Sequence, residues 1–157
     1  MVLKFEPIFK AVEKIKKTVK KKAPKRKIIF LTPRGKIFTQ TRAKKYSKLD
    51  QLILICGRYE GIDERAAQYV ADESLSIGRY ILLGGELASL VITEASIRLI
   101  PGVVGKKNSI EKLDFPQYTK PAEIRVKEKV LKVPKVLLSG NHRKIQVWRN
   151  KKAKEIA

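Results

Sequence analysis

The chain has one cysteine, one histidine and one tryptophan in 157 residues. A lone cysteine, Cys56, excludes an internal disulfide and any cysteine-cluster metal site. It ends an apolar run and reads as a buried small hydrophobe. A lone histidine, His142, excludes a site built from several imidazoles. At the start of the last predicted helix it reads as structural or simply exposed. Acidic residues are scarce: 15 Asp plus Glu stand against 36 Lys plus Arg, a formal net charge of +21. That imbalance favours a polyanionic partner, nucleic acid first. No apolar run approaches the length of a membrane span, and no signal peptide precedes the first helix; a soluble, cytoplasmic protein is expected. GxGxxG, GxxxxGKS and HExxH are all missing, so a Rossmann dinucleotide site, a P-loop and a zincin site are not expected. No Ser-His-Asp set is legible.

What is present concentrates between Cys56 and Leu87, in CGRYEGID and SIGRYILLGGEL. Two short apolar runs, QLILIC and YILL, adjoin glycines: Gly57 and Gly61 in one case, Gly84 and Gly85 in the other. Such runs read as buried strands of a parallel sheet. Glycine at a strand end lets the backbone turn sharply or approach a ligand closely. Two such corners suggest a ligand site at the carboxyl edge of the sheet.

Around this stretch, strands and helices alternate. Glu6-Pro7 opens a helix with Ile8, Phe9, Val12, Ile15 and Val19 on one face, ending before Ala23-Pro24. Five lysines from Lys16 to Lys22 crowd its end, where the helix dipole favours cations, and read as a solvated helix end. Then follow a strand at Lys27–Leu31, a turn at Thr32–Gly35, a helix at Ile37–Tyr46 and a strand at Gln51–Cys56. A helix at Ile62–Val70, a strand at Tyr80–Leu83 and a helix at Glu86–Ile100, stopped by Pro101-Gly102, complete a parallel α/β domain over residues 1–105. Residues 106–121 read as a linker. Residues 122–157 hold a hairpin at Ile124–Val133, an apolar Pro134–Leu138 and a basic helix from His142. Asn141 caps that helix, with Ile145 and Trp148 inward.

Few residues stand out chemically. Glu60, between Tyr59 and Gly61 at a strand-end corner, would face a pocket and accept a ligand hydrogen bond. Asp63 and Glu64 read as helix-start charges. Arg98, late in an apolar helix, either snorkels and pairs with a carboxylate or contacts an anion. Asp114, in LDFPQYTKP, reads as a turn residue.

In this order, CGRYEGIDER, SIGRYILLGGEL, RLIPGVVG, LDFPQYTKP and VLLSGNH resemble the bacterial tRNA (guanine-N1)-methyltransferase, TrmD, family. The similarity runs from the first helix to near the last residue. It implies a deep trefoil-knotted α/β fold of the SPOUT class, with a short C-terminal hairpin and helix remnant. Knots are otherwise nearly absent from proteins. It implies three loops that hold S-adenosylmethionine: Leu31, Thr32 and Pro33 in the first; Gly57, Tyr59 and Glu60 in the second; and Ser76, Ile77, Gly78, Arg79, Tyr80, Ile81, Leu82, Gly84 and Gly85 in the third. It implies a homodimer with shared active sites, methylating N1 of the guanine 3′ to the anticodon of tRNA. Guanine N1 carries a proton, so a base must remove it and a donor must stabilise charge growing on O6. The resemblance assigns Arg98 as the assisting arginine. It puts Asp114 on the substrate side and offers Glu111 in place of the linker base. Against the family pattern, a first strand-and-helix unit and most of the C-terminal helical domain are missing. The linker is short at Ile110-Glu111-Lys112, and Arg79 stands where many members are acidic. The alternative reading is a knotted domain that binds S-adenosylmethionine or RNA without catalysis, or a minimal structural core.

Overall fold

A computed structural model describes residues 1–104 and 115–156. The chain divides into two compact units, Met1–Ile110 and Glu111–Ala157. In the first, helix α1 (Phe5–Lys16) leads into strand β1 (Arg26–Ile37), helix α2 (Gln40–Tyr46) and strand β2 (Gln51–Ile55). Helix α3 (Glu64–Tyr69), strand β3 (Glu73–Ser76) and helix α4 (Glu86–Ile97) follow. The three strands form a parallel sheet in the order β2-β1-β3.

Successive side chains of a strand point to opposite faces, and β1 builds both halves of the core this way. Ile28 and Phe30 pack with Ile53, Ile55, Val12 of α1 and Ala66 of α3. Ile29 and Leu31 pack on the other face with Leu75, Tyr46 of α2 and Ile92 of α4. The chain passes from β1 to β2 through α2, then back across β1 to β3 through α3. Right-handed crossovers running in opposite directions put their helices on opposite faces, where α2 and α3 are found. Ile29, Leu75 and Ile92 are fully buried, each contributing about 1.5–3 kcal/mol over an exposed side chain. One polar cluster sits beside this core. The Tyr46 hydroxyl donates to Glu73 Oε1 at 2.8 Å, and Arg42 donates to the other carboxylate oxygen. Burial, then the Glu73 hydrogen bond, pushes the Tyr46 hydroxyl up to about 12.

The structure corrects four expectations. The third strand is β3, not Tyr80–Leu83. Its sequence, ESLS, carries no apolar run, and its strand geometry comes from pairing Glu73, Ser74 and Leu75 with Ile29, Phe30 and Leu31 of β1. Tyr80–Leu83 lies in the following loop, with Ile81 87% and Leu83 99% exposed. Thr32–Gly35 is not a reversal. β1 leaves its ladder there and returns, so that Leu31 and Lys36 both register with Leu75. Ile37 therefore still belongs to β1, and the next helix starts only at Gln40. Finally, α1 ends at Lys16, short of Val19. Side chains from the sheet satisfy its last carbonyls: Arg26 Nη2 donates to Lys16 O at 2.6 Å and Gln51 Nε2 to Ile15 O at 2.9 Å. Helix ends need such partners, and these fix where the helix stops. Lys20 to Lys22 thus follow the helix instead of closing it.

In the second unit, strands β4 (Glu123–Val126) and β5 (Lys129–Lys132) form an antiparallel hairpin. Helices α5 (Lys135–Leu138) and α6 (His142–Ile156) follow. Asn141 Oδ1 accepts the Lys144 N–H at 3.0 Å, the cap expected for α6. Trp148 packs against Tyr118, and the Arg149 guanidinium lies 5.0 Å from the Phe115 ring centroid. Of the expected linker, residues 106–114 lie outside the described residues. No helix among the described residues is long and apolar enough to cross a membrane.

Candidate functional site

The carboxyl ends of the three parallel strands feed three loops that converge on one cavity of about 340 Å³. β1 contributes Leu31, Thr32, Pro33 and Arg34; the segment after β2 contributes Gly57 to Ile62; the segment after β3 contributes Ile77, Gly78 and Tyr80 to Gly85. Pockets of this size hold small organic ligands. Parallel α/β sheets place them beyond the carboxyl ends of the strands.

Backbone contacts set the shape. A Cβ on Gly35 would lie 2.5–2.6 Å from the backbone N, Cα and C of Leu75. The β1 excursion thus crosses β3 at a spacing only glycine permits. A Cβ on Gly85 would lie 2.9 Å from Cα of Cys56. The Gly85 N–H donates to the Gly57 carbonyl at 2.9 Å, and Arg58 bridges to Gly84, so the second and third loops are stitched together. The second loop is also tied to the chain start. The Leu3 N–H donates to Gly61 O at 2.9 Å, and the Asp63 N–H to Leu3 O at 3.0 Å. Between these ties Tyr59 takes φ 58°, a left-handed conformation that is unusual for an aromatic residue and gathers at ligand sites. Tyr59 is mostly exposed on the rim, and Glu60 beside it is exposed as well. In the third loop the buried Ser76 hydroxyl donates to Gly78 O at 2.6 Å and accepts the Gly78 N–H at 3.1 Å, turning the chain off β3.

Two ion pairs flank the cavity, Arg34 with Glu64 at 2.7 Å and Arg58 with Glu86. Hydrogen bonding to Arg58 holds the Glu86 carboxyl below its ordinary range. All four side chains are well exposed, so these pairs orient loops and add little stability. Cys56 is half-buried, and burial pushes its thiol pKa up. It stays a neutral thiol, a weak nucleophile. Asp63 caps α3, accepting the Arg65 N–H at 3.0 Å. The ion pair with Arg65 holds its carboxyl at about 2.

Of the residues expected in the three loops, all line the cavity except Arg79. The third loop brings Gly78 and Tyr80 to the wall and leaves Arg79 off it. Arg98 is the half-buried C-cap of α4 and is not part of the wall either. Asp114 and Glu111 lie outside the described residues. Sequence reasoning did not single out Arg58, Leu83 and Ala88, which do line the cavity, and Glu64, the helix-start charge expected, lines it as well. Arg58 and Glu64 sit within CGRYEGIDER, and for Arg58 its charge beside Gly57 was the available signal. Among the described residues, no three His, Cys, Asp or Glu side chains group as metal ligands. The cavity combines apolar residues (Ile62, Leu75, Ile77, Ala88) with polar and charged ones (Thr32, Arg34, Arg58, Tyr59, Glu60). That suits a small molecule with both apolar and polar parts.

Residues 1–157 match the family described as tRNA (Guanine-1)-methyltransferase TrmD. A tRNA (guanine-N(1)-)-methyltransferase of Carboxydothermus hydrogenoformans is 48% identical over 160 residues, covering 98% of this chain and 59% of the relative. That of Geobacillus kaustophilus is 47% identical, covering 98% and 62%. That of Mycoplasma mobile is 50% identical, covering 99% and 76%. The chain spans about three fifths of the length of the first two.

Proposed function

We propose, from the premise that this chain belongs to the tRNA (guanine-1)-methyltransferase TrmD family, that it methylates N1 of the guanine 3′ to the anticodon in tRNA. The observation that carries the reading is the convergence of the three loops, Leu31–Arg34, Gly57–Gly61 and Ser76–Gly85, on one cavity. Nearly every residue assigned to methyl-donor binding from the motifs lies on that wall.

S-adenosylmethionine fits the residues present and supplies an electrophilic methyl group on sulfur. Gly35 and Gly85 allow the close backbone approaches, onto Leu75 and Cys56, that bring the loops together. Ile77, Ile81 and Leu82 offer apolar surface for a nucleoside, and Thr32, Tyr59 and Glu60 on the same wall offer polar side chains. Glu60 and Tyr59, on the rim, face the side from which tRNA approaches. In this reading Asp114, or Glu111 in its place, takes the N1 proton, since a neutral guanine N1 is a poor nucleophile. Arg98 stabilises the charge that develops on O6. The β1 excursion, with Gly35 pressed on Leu75, supports a trefoil-knotted path. The exposed apolar residues Ile81, Leu83, Leu87 and Leu90 support a homodimer that covers them. Residues 1–105 then form the donor-binding domain, 106–121 the linker, and 122–157 a hairpin and helix that meet tRNA.

The test is transfer of radiolabelled methyl from S-adenosylmethionine to unmodified tRNA, located by nuclease mapping. Label at N1 of the guanine 3′ to the anticodon is expected. Asp114→Ala or Glu111→Ala, whichever is the base, should abolish it. Wild-type rates in both variants would remove both carboxylates from the mechanism. Donor binding with no label in any tRNA would favour a binding domain without catalysis.

A further inference from the structure

We propose that the amino-terminal edge of the sheet, opposite the cavity, is a second contact site for the RNA phosphate backbone. The proposal rests on the tRNA reading above. Three segments distant in sequence meet at this edge: the end of α1 with the residues after it, the start of β1, and the α2–β2 connection. Asp50 gathers them. Its carboxylate accepts from Lys21 Nζ at 2.9 Å and from the Lys25 N–H at 2.7 Å, while its own N–H donates to Lys25 O at 2.8 Å. Arg26 and Gln51 lock the neighbouring strand starts to the end of α1. Lys17, Lys20, Lys22, Lys44, Lys45 and Lys48 lie on or beside the segments so joined, all exposed and, among the described residues, none in an ion pair. The carboxylates here are engaged already: Asp50 with Lys21, Glu13 with Lys16 and, at the start of β3, Glu73 with Arg42, while Asp72 accepts the Ile28 N–H at 2.7 Å.

So dense a field of one sign repels itself unless an anion covers it. Lysines read phosphates as point charges without reading bases, which fits a backbone contact. A lipid surface fits less well. Membrane-surface helices leave an apolar face free for the acyl region, whereas Phe5, Ile8 and Val12 of α1 are packed into the core. None of the edge lysines lines the cavity. Edge and cavity are separated by the length of β2, five residues or about 17 Å. A folded RNA can span that distance and a free nucleotide cannot.

The test compares the full chain with a triple variant, Lys20→Gln, Lys22→Gln and Lys48→Gln, and with a charge-matched control, Lys4→Gln, Lys10→Gln and Lys36→Gln. Affinity for a tRNA transcript is measured by anisotropy across a salt series, and S-adenosylmethionine binding by calorimetry on the same samples. Each lost phosphate contact lowers the salt slope by about 0.9, so the edge variant should lose roughly 2–3 in slope and about tenfold or more in affinity near physiological salt. The control should lose less than 1, and donor binding should be equal in all three. An edge variant with the wild-type slope, or a control that falls as far, overturns the proposal while leaving the methyltransferase reading intact. A wild-type chain that binds tRNA but not S-adenosylmethionine overturns that reading and leaves the edge standing. Loss of binding to phosphatidylserine vesicles with tRNA affinity unchanged would assign the edge to lipid and overturn it too.

Discussion

Gly35→Ala should be among the most damaging single-methyl additions in this chain. The new Cβ would sit 2.5–2.6 Å from three backbone atoms of Leu75, where ordinary contact begins near 3.4 Å. Two strands must therefore separate by about 0.9 Å. Neither can yield cheaply: Leu75 is fully buried, and it registers with Leu31 on one side of the excursion and Lys36 on the other. Overpacking against side chains costs about 1–3 kcal/mol, and backbone on both sides puts this case at about 3. For a unit of this size, 1 kcal/mol moves the melting temperature by about 4 °C, so a fall of about 12 °C is expected. Gly57→Ala is the matched control. Its Cβ would meet only the Ile62 side chain, at 3.2 and 3.4 Å, which can rotate away, and the loss should stay below about 1 kcal/mol. Thermal melting with matched urea titrations measures both. Amide exchange adds a local readout, because the Phe38 N–H donates to Ser76 O at 2.8 Å just past the crossing and should exchange faster in Gly35→Ala. A Gly35→Ala protein melting within 2 °C of wild type, or less affected than Gly57→Ala, would refute the close crossing of β1 over β3.

Other perturbations test separate parts of the account. S-adenosylmethionine at a hundredfold excess over its Kd should stabilise the chain by about 2.7 kcal/mol, read as a melting shift of roughly 10 °C; no shift at millimolar donor counts against the cavity. Tyr46→Phe removes the hydrogen bond to Glu73 and should cost about 1.5–3 kcal/mol. The folded-state Tyr46 pKa, about 12 against an ordinary 10.0, stabilises the fold below pH 10, and the effect fades as pH rises toward 12. The Phe variant should lack that alkaline decline, and an unchanged pH profile would contradict it. Asp63, held at about 2 against an ordinary 3.8, stabilises the fold above pH 4 and ceases to do so as pH falls to 2. Asp63→Asn keeps an acceptor for the Arg65 N–H, so its melting curve should be flatter across that acid window. Leu87→Asp with Leu90→Asp should convert a dimer to monomers in sedimentation; a monomeric wild type would refute the proposed association.

The legible parts of the fold were those where local pattern and tertiary role agree. The alternation in KIIFL builds both core faces, and QLILI pairs with it in register as β2. The glycine corners marked the ligand cavity because close backbone approach leaves a compositional trace: Gly57, Gly84 and Gly85 all line it. The illegible parts were those decided by distant partners. β3 is a strand because β1 offers it an edge, not because ESLS favours extension. The end of α1 is set by Arg26 and Gln51, residues 10 and 36 positions away from the carbonyls they cap. No window of local sequence contains that information. Arg79 shows the same limit at single-residue scale. Motif position put it in the loop correctly, but the loop's path decides which side chains reach the wall.

The misread run, YILL, bears on function more than any correct assignment. Apolarity beside glycine predicts burial, and burial by a sheet is only one way to satisfy it. Here Tyr80, Ile81 and Leu83 stand open to solvent in the single chain, and Leu87 and Leu90 of α4 extend the same apolar sequence tract. Covering a large apolar side chain contributes about 1.5–3 kcal/mol, so leaving several exposed at a cavity rim is costly for an isolated chain. The cost is recovered if a ligand covers the cavity side and a second subunit covers the helix side. On that view the residues that bind donor and the residues that bind partner are consecutive in the chain. Ligand occupancy and association should then be linked: S-adenosylmethionine should tighten the dimer, and a Leu87→Asp, Leu90→Asp monomer, altered on α4 and not on the cavity wall, should bind donor more weakly than wild type. Equal donor affinity in monomer and dimer would break that link and leave the exposed YILL run without an explanation.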